Sequence, residues 1–392
     1  MKKASFLPII LAVAFTLNSC NAKSQTAENE PQTSQPASDV PAANRTKIQV
    51  ALLLDTSNSM DGLIDQAKSR LWDIVNTLTT LKYKGVTPNI EISLYEYGND
   101  GLQKSENFIR QVTPMTSDLD LLSEKLFALR TNGGLEYCGA VIQRAVSDID
   151  WGKQESDMKL IYIAGNEPFD QGGVSYKESV INALSKDIYV NTIFCGNREE
   201  GVRGLWQDGA ARGKGKYFNI DSNAKVRYIA TPYDDRIDAC NTKLNDTYIG
   251  YGTLADEKKA NQELQDSNAS SISQSNKVSR AVSKSTKTAY KNESWDLVDK
   301  YDSDKDAVQN LKESEIPKEY KGKSKAEIEV IVKEKQAERS KVQSEIAELA
   351  KKRQAYIDAE MKKIDNGADD LGKAINSSII AFSKVKGYEA GE

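Results

Sequence analysis

The stretch Ile48–Met60, reading IQVALLLDTSNSM, limits what this chain can become more than any other. Ile48–Leu54 is a nearly unbroken apolar run that ends on Asp55. Such a run reads as a strand buried on both faces, as in a parallel sheet flanked by helices. Asp55, Ser57 and Ser59 then bring one carboxylate and two hydroxyls to the carboxyl end of the strand. In open α/β sheets, ligands sit just outside that end. Hard oxygen donors suit Mg²⁺, Ca²⁺ or Mn²⁺ and not a soft metal. A bare D-x-S-x-S is equally a Ser/Thr/Asp helix N-cap. The strand before it, the amphipathic Leu63–Leu81 after it and the strand-helix units downstream favour the metal reading.

Composition removes several function classes. The chain has no His, which excludes His-based acid–base catalysis, Ser-His-Asp triads and His-ligated zinc. Four Cys are too few and too scattered for a disulfide scaffold or a zinc cluster. A formal net charge of −4 creates no field pointing to nucleic acid. The 392 residues allow two or three domains of roughly 100–200 residues each.

Lys2-Lys3 followed by the apolar Phe6–Leu17 reads as a targeting segment, shorter than the roughly 20 apolar residues of a membrane span. Leu17-Asn-Ser-Cys20 resembles a bacterial lipobox. That resemblance implies cleavage before Cys20, lipid on Cys20 and a protein anchored to an envelope membrane without spanning it. An ordinary signal peptide with an incidental Cys is the alternative. Asn21–Arg45 is rich in Ala, Ser, Gln, Pro, Thr and Asn and reads as a flexible tether.

From Lys47 the pattern alternates. Strands are expected at Ile48–Leu54, Asn89–Tyr97, Phe108–Val112 (antiparallel, at an edge), Lys159–Ala164, Tyr189–Cys195 and Lys216–Ile220. Helices are expected at Leu63–Leu81, Leu119–Leu129, Tyr137–Ile149, Val174–Ser185 and Glu199–Ala211, with a closing helical segment from Ala224. That alternation indicates an α/β fold, a doubly wound, mostly parallel sheet. Gly213-Lys-Gly215 precedes a strand and reads as a turn, not a phosphate loop.

With Asp55-x-Ser57-x-Ser59 at the head of this order, residues 47–252 resemble the von Willebrand factor A domain and its metal-ion-dependent adhesion site. The resemblance implies direct ligation by Ser57 and Ser59, a threonine ligand from a second loop after a Gly-Gly, and an aspartate after the next core strand. It also implies an open coordination position that an acidic side chain of a protein partner fills. This chain departs twice. The second loop, Gly133-Gly134-Leu-Glu136, carries Glu136 at the threonine position, and the third, Ala164-Gly165-Asn166, carries Gly165 at the aspartate position. Loss of one carboxylate at Gly165 and gain of one at Glu136 keep the count at two, which matters because ion affinity follows ligand charge. The expected metal set is therefore Asp55, Ser57, Ser59 and Glu136; Glu136 acting only as a helix cap is the alternative. Cys138 and Cys195 both fall at the ligand end of the sheet, and in an exported protein a disulfide between them stands beside two separate thiols. Cys138 is the one nucleophile candidate and has no evident base, so an enzyme is not expected.

Residues 254–392 hold 26 Lys/Arg and 26 Asp/Glu, which reads as solvated helix faces. Ala255–Tyr290 is expected to be helical with Val278, Ala281 and Val282 inward, and 303–323 a loop. Ser324-Lys-Ala-Glu327 is a capping box. The stripe Ile328, Val332, Val342, Ile346, Leu349, Tyr356, the stop Asp365-Asn366-Gly367 and a second stripe Leu371, Ile375, Ser378, Phe382, Val385 suggest a long helical hairpin. The expected plan is a lipoprotein signal peptide at 1–19, a tether at 20–46, the sheet domain at 47–252 and a helical, coiled-coil-like region at 253–392. The expected function is membrane-anchored, divalent-metal-dependent protein binding in a bacterial envelope. A structural envelope protein whose C-terminal helices make the contacts, over a non-binding sheet domain, is the second expectation.

Overall fold

The computed structural model describes residues 45–363 and 370–390. Strand β1 (Lys47–Asp55) is buried over its last eight residues. Its side chains alternate as a strand requires: Ile48, Val50, Leu52 and Leu54 enter one core, Ala51 and Leu53 the other. Then come α1 (Asp61–Thr79), β2 (Leu81–Tyr83), β3 (Asn89–Tyr97), β4 (Ile109–Thr116), α2 (Leu119–Ala128) and α3 (Cys138–Asp148). They are followed by β5 (Met158–Gly165), α4 (Tyr176–Ser185), β6 (Ile188–Cys195), α5 (Arg198–Arg203), α6 (Trp206–Arg212), β7 (Lys214–Ile220) and α7 (Asp234–Asn245). The chain closes with α8 (Ala255–Ile272), α9 (Gln274–Ser285), α10 (Leu297–Ser303), α11 (Lys325–Lys363), α12 (Leu371–Val385) and β8 (Tyr388–Ala390).

Six strands form one sheet in the order β4-β3-β1-β5-β6-β7. All neighbours are parallel except the edge pair β3–β4. This is the doubly wound arrangement expected from the sequence, with β1 at its centre and Asp55 at its carboxyl edge. One face is covered by α3, α4 and α6; on the other, α1, α2 and α12 lie against the strands, and α7, α8, α9 and α11 extend that core behind them.

Several expected elements differ. Leu81 does not extend α1; Leu81–Tyr83 leaves the helix to pair antiparallel with β8. The helix expected over Glu199–Ala211 is two, because Leu205 adopts the left-handed conformation (φ 68°) and seats Trp206, fully buried, with its Nε1 donating to Glu167 O at 2.8 Å. Nothing helical forms over Ala224–Ile229; the helix begins at Asp234. Ala255–Tyr290 breaks at Ser273, whose side chain caps α9 through Asn276 N. Val278 and Ala281 are buried as expected, and Val282 is half-buried.

The Ser324 capping box forms, with Ser324 N donating to Glu327 Oε2 at 2.7 Å and Glu327 N to Ser324 Oγ at 3.3 Å. Helix α11 runs 39 residues. The stop at Asp365–Gly367 lies outside the described residues. Both apolar stripes are buried, apart from the half-buried Leu349 and Tyr356 and the exposed Val385, but against different partners. Helix α11 packs on α7, α9 and α10, whereas α12 packs on α1 and the sheet. The charges are not all solvated either. Arg280 reaches Asp120 at 2.7 Å and Asp266 at 2.6 Å, Arg339 reaches Asp296 at 2.6 Å, and Arg353 reaches Asp234 at 2.9 Å, all with buried guanidinium groups. A buried ion pair broken on one side leaves an uncompensated charge, so these contacts fix where each helix docks. All described residues belong to one compact unit.

Candidate metal centre

The carboxyl edge of the sheet gathers the four expected residues. Asp55 ends β1 fully buried, and its Oδ1 accepts from Ser57 N at 2.7 Å. Ser57 Oγ and Ser59 Oγ lie 3.3 Å apart, Ser57 buried and Ser59 exposed. Glu136 is 3% exposed and sits just before α3. Its carboxyl turns into the site beside Asp55 and accepts from Glu167 N at 3.3 Å. Its own N–H donates to Gln171 Oε1 at 2.7 Å, which pins the second loop to the third.

Two carboxyls therefore face each other in a dry place. Burial first, then Glu136, push the Asp55 carboxyl well above the usual carboxylate range; burial pushes Glu136 up as well. Asp55 Oδ2 is buried and receives no donor. Two acceptor groups in contact need either a shared proton or a cation between them. Among the described residues no group of three or more Asp, Glu or Cys is placed to hold a metal ion. A cation here would rest on two carboxylates plus neutral oxygens, and Asp55, Glu136, Ser57 and Ser59 fit a hard divalent ion.

The neighbouring glycines explain how the loops approach so closely. Gly98 adopts φ +77°, and a Cβ on it would lie 2.8 Å from Asp55 Oδ1 and 2.8 Å from Glu136 Cγ. At Gly165 a Cβ would overlap the Tyr97 hydroxyl, which donates to Ala164 O at 2.9 Å. The position that the resemblance assigns to an aspartate is thus filled by Tyr97 from β3. Asn166, which the sequence reading passed over, touches the site instead: its Nδ2 lies 3.2 Å from Ser59 Oγ. The exchange of an acid for Gly-Asn after β5 was the one signal available. Beside Asn166 a cavity of about 390 Å³ opens, lined also by Pro168, Phe194, Glu200, Arg203 and Gly204.

The disulfide does not form. Cys138, Cys195 and Cys240 are free and buried. Cys138 belongs to the core under α3, while Cys195, at the end of β6, points into the core on the other face of the sheet. Burial pushes both thiols up. Cys20 lies outside the described residues.

Fold and site together define a doubly wound α/β domain with an oxygen-rich cluster at the carboxyl edge of its sheet. No family profile matches the chain, and no curated protein matches it. Solved structures do show likeness. The conserved hypothetical protein BatB from Bacteroides thetaiotaomicron is 20% identical over 44% of this chain and 90% of its own, with a TM-score of 0.34. An aerotolerance-related membrane protein from Bacteroides fragilis is 18% identical over 45% and 93%, with a TM-score of 0.30. The VWA domain of SpRpn10 is 13% identical over 44% and 87%, with a TM-score of 0.34.

Proposed function

We propose that this chain is a membrane-anchored, divalent-cation-dependent protein-binding module of a bacterial cell envelope. Asp55, Glu136, Ser57 and Ser59 would hold Mg²⁺, or Ca²⁺ or Mn²⁺ with the same preference for hard oxygen, and an acidic side chain of a protein partner would complete the coordination. The observation that carries this reading is the pair of buried carboxyls, Asp55 and Glu136, with no donor to Asp55 Oδ2 and an exposed Ser59 above them. A bound dication cancels both charges and supplies the missing partner.

The apolar Phe6–Leu17 and the sequence Leu17-Asn-Ser-Cys20 support lipid attachment at Cys20. None of the described helices is long and apolar enough to cross a membrane. Cys20→Ala should move the protein from membranes to the soluble fraction; unchanged fractionation would contradict the anchor. Partner binding is tested by cross-linking in solubilised membranes. A partner retained in Mg²⁺ and released by chelator or by Asp55→Asn supports the reading. A partner indifferent to both would favour the scaffold reading, with contacts made by the C-terminal helices.

A further inference from the structure

We infer that Asn166 is a ligand of the same cation, supplying from the third loop the oxygen that residue 165 cannot. The inference rests on the cation reading above. Asn166 follows the last residue of β5, and its amide is already against the hydroxyl cluster, with Nδ2 3.2 Å from Ser59 Oγ. Its Oδ1 is buried and meets no donor. A buried amide oxygen left without a partner is unfavourable. A half-turn of the terminal amide exchanges the two atoms, because the carbonyl and NH₂ ends have nearly the same shape. The half-turn brings the carbonyl oxygen to the Ser59 hydroxyl, and amide carbonyls are ordinary ligands for hard cations.

Residue 165 has no such freedom. Any side chain there meets the Tyr97 hydroxyl, and a Cβ would also lie 3.2 Å from Asp55 Cβ and 3.2 Å from Asp55 Oδ2. Tyr97 is fully buried and bonded to Ala164 O, so it does not yield. The third-loop ligand therefore moves one residue along the chain and becomes neutral, while the second charge comes from Glu136. Two carboxylates, two hydroxyls and one amide carbonyl make five oxygens against the six of octahedral Mg²⁺, which leaves one position for a partner's carboxylate.

The test is Mn²⁺ titration of the purified full-length protein, followed by electron paramagnetic resonance, for wild type, Asn166→Ala, Asn166→Ser and Asn166→Asp. Thermal unfolding with and without chelator accompanies it. Loss of the carbonyl in the Ala and Ser variants should weaken Mn²⁺ binding about tenfold or more. Asn166→Asp adds a third charge: it should tighten Mn²⁺ binding about tenfold, lower the melting temperature in chelator and raise it in Mn²⁺. A merely structural Asn166 gives no such reversal. Wild-type affinity in all three variants overturns this inference alone. No Mn²⁺ bound by wild type overturns the cation reading and this inference with it.

Discussion

A fragment ending at residue 252 should not fold on its own. Helix α12 fills the face of the sheet beside α1 with Leu371, Ile375, Ile379 and Phe382, each at most 5% exposed. Removing the helix forfeits the burial of these four side chains, roughly 1.5–3 kcal/mol each and about 6–12 kcal/mol in all. Val278 of α9 and the Asp370–Arg70 ion pair go with them. The whole stability of such a domain is typically about 5–15 kcal/mol. Residues 45–252 and 45–392 would be compared by near-ultraviolet circular dichroism and thermal unfolding. The longer protein should unfold cooperatively, and the shorter should lack fixed aromatic signals and a transition. Ile375→Ala in the full chain gives a graded version, with an expected loss of about 2–5 kcal/mol. A 45–252 fragment that melts cooperatively within a few degrees of the full protein would refute the claim that the C-terminal helices complete the sheet's core.

Burial and the neighbouring Asp296 push Asp299 up to about 6, in spite of Arg339. Its folded-state value is raised, so its stabilising contribution is complete below about pH 4 and lost as pH rises through about 6. Two units are worth about 3 kcal/mol, and Asp299→Asn should flatten the urea-unfolding stability over that window by that order; parallel curves for the two proteins would contradict this. Thiol titration of residues 45–392, unfolded without reductant, should count three free thiols, from Cys138, Cys195 and Cys240; a count of one would restore the disulfide. Gly165→Asp should destabilise the protein through its overlap with the Tyr97 hydroxyl, and Tyr97→Phe should recover part of the loss; equal melting temperatures for wild type and Gly165→Asp would contradict the packing at β5.

Local signals carried the sheet. The β1 run and the capping box at Ser324 each announce themselves within a few residues, and each forms as read. What escaped depends on contacts far apart in the chain. Strand β2 pairs with β8 across some 300 residues, too short at three residues to show a period. The two C-terminal stripes looked like partners because each was apolar, yet α11 docks through Arg339 and Arg353 and α12 through the face beside α1. Cys138 and Cys195 lie at the same end of the sheet, and only the direction of each side chain sends them to opposite faces. At the site, spacing drew out Asp55, Ser57 and Ser59, whereas Glu136 was named only through the resemblance of the second loop. That Tyr97 fills the space at residue 165, and that Asn166 reaches Ser59, required the packing of β3 against β5 through β1.

Calorimetric titration of Mg²⁺ into the full-length protein tests the central claim most directly, with Asp55→Asn and Glu136→Gln as companions. Wild type should bind one Mg²⁺ per chain, and removal of either charge should weaken binding more than tenfold, since the two carboxylates supply most of the attraction. No binding by wild type, or wild-type affinity in Glu136→Gln, would contradict it.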